Sequence, residues 1–276
     1  MSSGMQFEAG DREMIPKRLH QIYLVGELPE VLRANAADHI ARNPGWQYTL
    51  WTEPLAESFI RETYGTDVLT SYRMIDDRYL AARADLLRHL IIYKLGGVYF
   101  DIKGVIERPL DEVLNPTDRY LLSQWDNSPG EPQEGWGLHK DLAHISGGEY
   151  VTNVIVAEPS HPYSKAAIEN ILKNIANYKP WSAVGRTGTL RTTGPIAYTL
   201  AIESVKNASL HRFVDQSELG SRVSIGGTYD HSTALERPHY STLSHPLVAQ
   251  RGFAKLVSRA ALWLREQKLK RVVRLP

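Results

Sequence analysis

The chain has 276 residues, 42% hydrophobic and 23% charged, with a formal net charge of +1. Such values suit one large soluble α/β domain or two small ones, and a balance so close to neutral leaves out broad electrostatic binding of nucleic acid. With no cysteine in the chain, a disulfide framework, a thiolate catalyst and a thiolate zinc site are all excluded.

Residues 1–14 contain no apolar run that would serve as a signal peptide, and no stretch approaches the roughly 20 apolar residues of a membrane span. The expectation is a cytoplasmic protein with a disordered tail over 1–14 and a single domain over 15–276. "RLHQIYLV", 18–25, reads as a first strand. "LPEVLRANAADHIARN", 28–43, carries Val31, Leu32, Ala36 and Ile40 at helical spacing. The turn signal Asn43-Pro44-Gly45 precedes a second strand at 46–51, and a further helix is predicted around 54–64.

The most informative helix spans about 78–95. Leu80, Ala84, Leu87, Ile91 and Leu95 form one apolar stripe, and Gly96 supplies the conformation that ends it. "VYFDI", 98–102, then forms a strand, so the order predicts a parallel sheet with crossover helices. Ligands of such sheets bind beyond the carboxyl ends of the strands, which is where Asp101 falls. Further strands are predicted at 120–125 and 153–159, separated by a Gly-, Pro- and His-rich stretch, 126–150, that has the length of a functional loop. A helix follows at 163–177, and "RTGTLRTTGPIAYTLAIESV" reads as a Gly/Thr turn opening another. From about 252 to 274 the pattern is a basic amphipathic helix. Such a helix either packs on the core or lies on an anionic membrane surface.

Asp85 and Arg88 lie three apart on the long helix, off its apolar stripe. They are either a solvated ion pair or two groups that reach one ligand. Lys103 stands two residues after Asp101, where a second acid would complete a metal clamp; hard divalent cations need oxygen ligands, and an amine offers none.

The segments "IPKRLHQIYLVGELP", "NPGWQYTLW" and "AARADLLRHLIIYKLGGVYFD", in that order, resemble the GT-A-fold glycosyltransferases that carry the DxD sugar-binding region. That family includes bacterial capsular-polysaccharide transferases and yeast initiating α-mannosyltransferases, with the large glucosylating toxins as distant relatives. "TTGPIAYT", 192–199, is similar to the family's Thr-Gly-Pro segment. The resemblance implies an α/β, Rossmann-like, mostly parallel sheet flanked by helices. It also implies a retaining transfer of a hexose from a nucleoside-diphosphate sugar to a glycan or glycolipid hydroxyl, in polysaccharide, capsule or cell-surface glycan synthesis.

Carried over residue by residue, the resemblance sets Tyr23 against the donor's base and Asp85 on the donor hydroxyls. It sets Arg88 near the diphosphate, and Tyr99 and Asp101 at the ribose and metal-proximal positions. Mn²⁺ or Mg²⁺ would be held by Asp101 and a distant ligand, for which His239, Ser244 and His245 are candidates; the departure at Lys103 allows an ammonium to stand in for the ion. Trp136, in the 126–150 loop, is the expected stacking platform of an acceptor pocket. Two alternatives stay open: an inactive relative that binds sugar nucleotide or glycan, and a phosphatase, since "YFDIKG" is similar to that enzyme motif apart from Lys103.

Overall fold

The computed structural model describes residues 14–179, 181, 183–207, 210–225, 240–249, 260, 263 and 264. The elements in chain order are β1 (Arg18–Ile22), α1 (Glu30–Arg42), β2 (Gln47–Trp51), α2 (Glu53–Met74), α3 (Leu80–Leu95), β3 (Gly97–Phe100), β4 (Val105–Ile106), α4 (Leu110–Val113), β5 (Tyr120–Leu122), β6 (Val154–Ala157), α5 (Pro162–Ala176), α6 (Gly185–Thr192), α7 (Pro195–Glu203), β7 (Arg212–Phe213) and β8 (Ser221–Arg222). Six strands form one sheet in the order β2-β1-β3-β6-β5-β7, while β4 and β8 pair separately.

β1 runs parallel to β2 and β3, as the strand–helix–strand order requires. β6 enters antiparallel between β3 and β5, with Phe100 opposite Val154. Alternation along β3 sends Val98 and Phe100 to one apolar layer and Tyr99 to the other. The larger layer, on the Tyr99 side, is built with residues of α2, α3, α5 and α7. Because side chains repeat every two residues, Asp101 follows Tyr99 onto the α3 side of the sheet.

α3 is buried almost all round: every residue from Asp85 to Ile92 is buried. The apolar stripe of the sequence therefore understated its burial, and Asp85 and Arg88 are interior residues, not a solvated flank. The double glycine after α3 is demanded by geometry. Gly96 has φ 63° and Gly97 φ 98°, and a Cβ on Gly97 would sit 2.4 Å from the Arg18 carbonyl oxygen. The carbonyls at the end of α3 are capped from β1, Leu95 by Arg18 Nη1 at 3.1 Å and Gly96 by His20 Nε2 at 3.1 Å. Trp51 Nε1 donates to His20 Nδ1 at 3.3 Å, so Nε2 carries the proton that caps Gly96.

Several sequence boundaries move. The helix expected at 54–64 is the first part of α2: at Gly65 the backbone leaves helical geometry (φ 82°, ψ −179°), and a second helical segment then runs on to Met74. The Gly/Thr-rich segment forms two helices, α6 and α7, broken at Thr193-Gly194 before Pro195. The strand expected at 98–102 ends at Phe100, which leaves Asp101 just outside it. The expected tail over 1–14 lies outside the described residues except for Met14, which is exposed and whose N–H bonds the Pro116 carbonyl at 3.4 Å. So does the basic helix at 252–274, except for Ala260, Trp263 and Leu264, which are helical. Among the described residues no helix is long and apolar enough to cross a membrane.

Candidate active site

Asp85 and Arg88 come from the middle of α3; Tyr99 and Asp101 come from the end of β3, which faces it. Arg88 joins the two acids: Nη2 donates to Asp85 Oδ1 at 2.6 Å, and Nη1 lies 3.2 Å from Asp101 Oδ1. The same Nη1 donates to the Thr152 carbonyl at 2.6 Å, and the guanidinium lies over the Tyr99 ring at 4.8 Å. Tyr99 donates its hydroxyl to Asp101 Oδ1 at 2.6 Å. The second oxygen of Asp85 accepts from Thr193 Oγ1 at 2.9 Å, so the break between α6 and α7 closes the cluster.

The two acids differ in exposure. The Asp85 side chain is 9% exposed and the Asp101 side chain 39%. Burial pushes the Asp85 carboxyl above its usual range, opposed by the Arg88 charge and the Thr193 hydrogen bond. Asp101 is the member that meets solvent, and hence a ligand. Arg88, only 6% exposed, acts in this arrangement as the clamp that brings both carboxylates to one spot.

Residues that sequence reasoning missed complete the wall. Asn153 lies opposite Asp101 across the β3–β6 pair and accepts the Asp101 N–H at its carbonyl, 2.8 Å away. Its side chain is buried, yet neither its amide nitrogen nor its carbonyl oxygen has a protein partner. Unpaired buried polar atoms are costly, so such a pair beside an exposed carboxylate marks a place built for something else. No spacing rule would have found it; only the antiparallel register of β6 puts it there. The segment 240–249 returns over α2 and α6. There Tyr79 donates to the His245 carbonyl at 2.6 Å, and Gly185 passes tightly under Leu243 and Ser241. Burial pushes the Tyr240 hydroxyl up to about 12, and the charges of Asp85, Asp101 and Glu149 add to that rise against Arg186.

Tyr23 follows β1 at the same sheet end as Asp101, half-buried, its N–H bonded to the Trp51 carbonyl at 2.9 Å. Lys103 sits in the turn closed by Gly104 N–H to the Asp101 carbonyl at 2.8 Å, and its own carbonyl accepts from Ile225. One face of α1 holds this turn. Asn35 donates to the carbonyls of Gly104 (2.8 Å) and Ile102 (3.3 Å), His39 Nε2 accepts from Ile106 N–H (3.2 Å), and Asn43 Oδ1 accepts from Leu110 N–H (2.7 Å). Asn35 and His39 of α1 and Asn43, which caps it, recur at intervals of four, on positions the apolar pattern of α1 leaves open.

For a divalent ion, the described donor set does not fit. Among the described residues no three His, Cys, Asp or Glu side chains are placed to hold a metal. Ser244 and His245 are exposed, and His239 lies outside the described residues.

Residues 29–120 match the family model described as "Glycosyltransferase sugar-binding region containing DXD motif". The chain is 27% identical over 198 residues to the mannosyl phosphorylinositol ceramide synthase of Saccharomyces cerevisiae, covering 68% of this chain and 50% of that protein. It is 36% identical over 183 residues to inositol phosphoceramide mannosyltransferase 3 of Schizosaccharomyces pombe, covering 66% of this chain and 43% of the relative. It thus spans about half the length of the curated relatives it matches. The UDP-bound glycosyltransferase domain from the YGT toxin superposes with a TM-score of 0.51 at 11% identity, over 79% of this chain and 82% of that domain. The protein accordingly has the GT-A-like fold of glycosyltransferase domains, with the glycosyltransferase sugar-binding region matched over residues 29–120.

Proposed function

We propose that the protein is a retaining glycosyltransferase that moves a hexosyl group, of which mannosyl is best supported, from a nucleoside-diphosphate sugar to a hydroxyl of a glycolipid or glycan. The observation that carries this reading is Arg88 joining Asp85 and Asp101 at the carboxyl end of β3, inside the region matched by the family model. The names of the curated relatives, mannosyltransferases of inositol phosphoceramide, support the sugar and the glycolipid.

In this reading Asp101 accepts hydrogen bonds from donor hydroxyls, Asp85 holds Arg88 in place behind it, and Tyr23 stacks against the base. The two unpaired atoms of Asn153, buried behind Asp101, keep that wall of the donor site polar. The acceptor oxygen attacks the anomeric carbon on the face that the diphosphate leaves. The C–O bond to the phosphate breaks with its electron pair on the diphosphate, and the acceptor's proton passes to that departing oxygen. Positive charge for the leaving group comes from Arg88, which also holds the two acids, and from Lys103 in the turn after Asp101.

A transfer assay with nucleoside-diphosphate hexoses and a glycolipid acceptor tests this. Transfer is expected to survive EDTA and to be lost in Lys103→Ala. Loss on chelation with recovery on adding Mn²⁺ overturns the role of the amine. Absence of any nucleoside-diphosphate binding overturns the whole reading.

A further inference from the structure

The segment from Gln124 to Tyr150 contains no strand or α-helix, yet it is closely tied together. Gln124 Nε2 donates to the carbonyls of Ser146 (2.8 Å) and Gly148 (2.9 Å), pinning the returning end to the outgoing one. Asn127 bonds the Trp136 carbonyl (3.1 Å) and the Gly135 N–H (2.7 Å). A Cβ on Gly148 would stand 2.5 Å from the Gly137 carbonyl oxygen, so the two limbs touch backbone to backbone. A loop of this length with this much internal bonding is a shaped surface, which physical economy does not require of a mere connection.

At its base lies Glu149, buried to 8% exposure. Trp125 Nε1 donates to Oε1 at 2.8 Å, and His139 Nε2 is bonded to Oε2 at 2.8 Å. No Lys or Arg side chain forms a described ion pair with it, so this buried carboxylate is oriented by an indole and an imidazole. Each oxygen keeps a further lone pair. Trp125 and Trp136, both half-buried, pack edge to face with centroids 5.1 Å apart. Three and four residues beyond Glu149 the chain reaches Thr152 and Asn153, whose carbonyls bind Arg88 and the Asp101 N–H. Tyr240 stands within electrostatic reach of Glu149, Asp85 and Asp101.

We propose that Trp125, Trp136, His139 and Glu149 form the acceptor subsite and that its ligand is a neutral polyol ring, a hexose or a cyclitol. The inference rests on the glycosyl-transfer reading and deepens it. The indoles cover the apolar C–H face of the ring, as aromatic platforms do for sugars, and the free lone pairs of Glu149 accept its hydroxyls. The negative charge of Glu149 directs any phosphate on the acceptor away from this point, so the ring and not a phosphate occupies it.

The experiment measures acceptor KM in the full chain, with myo-inositol and methyl α-mannoside as ring acceptors and glycerol as the acyclic control. It also measures the Kd of UDP and GDP. Trp136→Ala and Glu149→Gln are expected to raise the ring-acceptor KM at least tenfold with the nucleotide Kd unchanged, and Trp136→Phe is expected to recover most of that loss. Unchanged acceptor KM in both variants, with nucleotide still bound, overturns the subsite and leaves the donor reading standing. If the unaltered protein binds neither nucleotide, both fall together. A KM for glycerol as low as for the rings also overturns the proposal.

Discussion

Replacing Asp101 by alanine and, separately, Asp85 by alanine separates ligand recognition from architecture. Asp101 is 39% exposed, and its loss leaves Arg88 still bonded to Asp85 and to the Thr152 carbonyl. The cost is the Tyr99 hydrogen bond and a half-solvated ion pair, about 1–2 kcal/mol. Asp85 is 9% exposed and balances a buried guanidinium while holding Thr193. Removing one partner of such a pair costs about 3–5 kcal/mol. At about 2–3 °C per kcal/mol for a chain of this size, Asp101→Ala lowers Tm by roughly 2–6 °C and Asp85→Ala by roughly 6–15 °C. Differential scanning fluorimetry reads both shifts, and calorimetric titration with UDP or GDP reads the site. Asp101→Ala is expected to lose tenfold or more in nucleotide affinity while staying folded. A large fall in Tm with Asp101→Ala, or full nucleotide affinity in the folded variant, refutes the assignment of Asp101 as the ligand-facing acid.

Asn153→Leu is expected to change stability by less than about 1 kcal/mol, since the amide it removes has no protein partner, yet to weaken donor binding; chemical denaturation and nucleotide titration read the two effects apart. Asn35→Ala removes both bonds to the turn after Asp101, costs about 1–3 kcal/mol, and raises donor KM through a residue that touches no ligand. Burial lowers His20, His39 and His161 from 6.5 to about 4 and His89 to about 3. Below pH 6.5 the unfolded chain therefore takes up protons that the fold refuses. Stability is full above that pH and is lost as the pH falls from 6.5 toward 4, by up to roughly 3 kcal/mol for each of the first three, and toward pH 3 by up to roughly 5 kcal/mol for His89. A urea midpoint that stays flat between pH 7 and pH 5 refutes that linkage. Gly97→Ala would press a methyl group onto the Arg18 carbonyl and is expected to unfold the β1–β3 pairing, seen as a lost or multiphasic thermal transition.

The sequence by itself determined the elements whose signals are local. The apolar spacing of 80–95, the double glycine after it and the short apolar run that ends at Asp101 each follow from neighbours in the chain, and all three are in the fold. The meeting of Asp85 with Asp101 could be expected because α3 leads straight into β3, and the alternation of a strand puts Tyr99 and Asp101 on one side. Burial was not legible in the same way: the charged pair looked like a wetted flank because helical periodicity describes one neighbour, whereas α3 has neighbours all round. Asn153, Thr193, Tyr240 and the Trp125–Glu149–His139 cluster were decided only by tertiary structure. The first three come from the antiparallel register of β6, the α6–α7 break and the return of 240–249, across about 50 to 150 positions, and the cluster comes from a loop that folds back on itself across 10 to 24 positions. No short-range pattern encodes contacts at that separation; they are set by which faces remain to be buried once the local elements have formed.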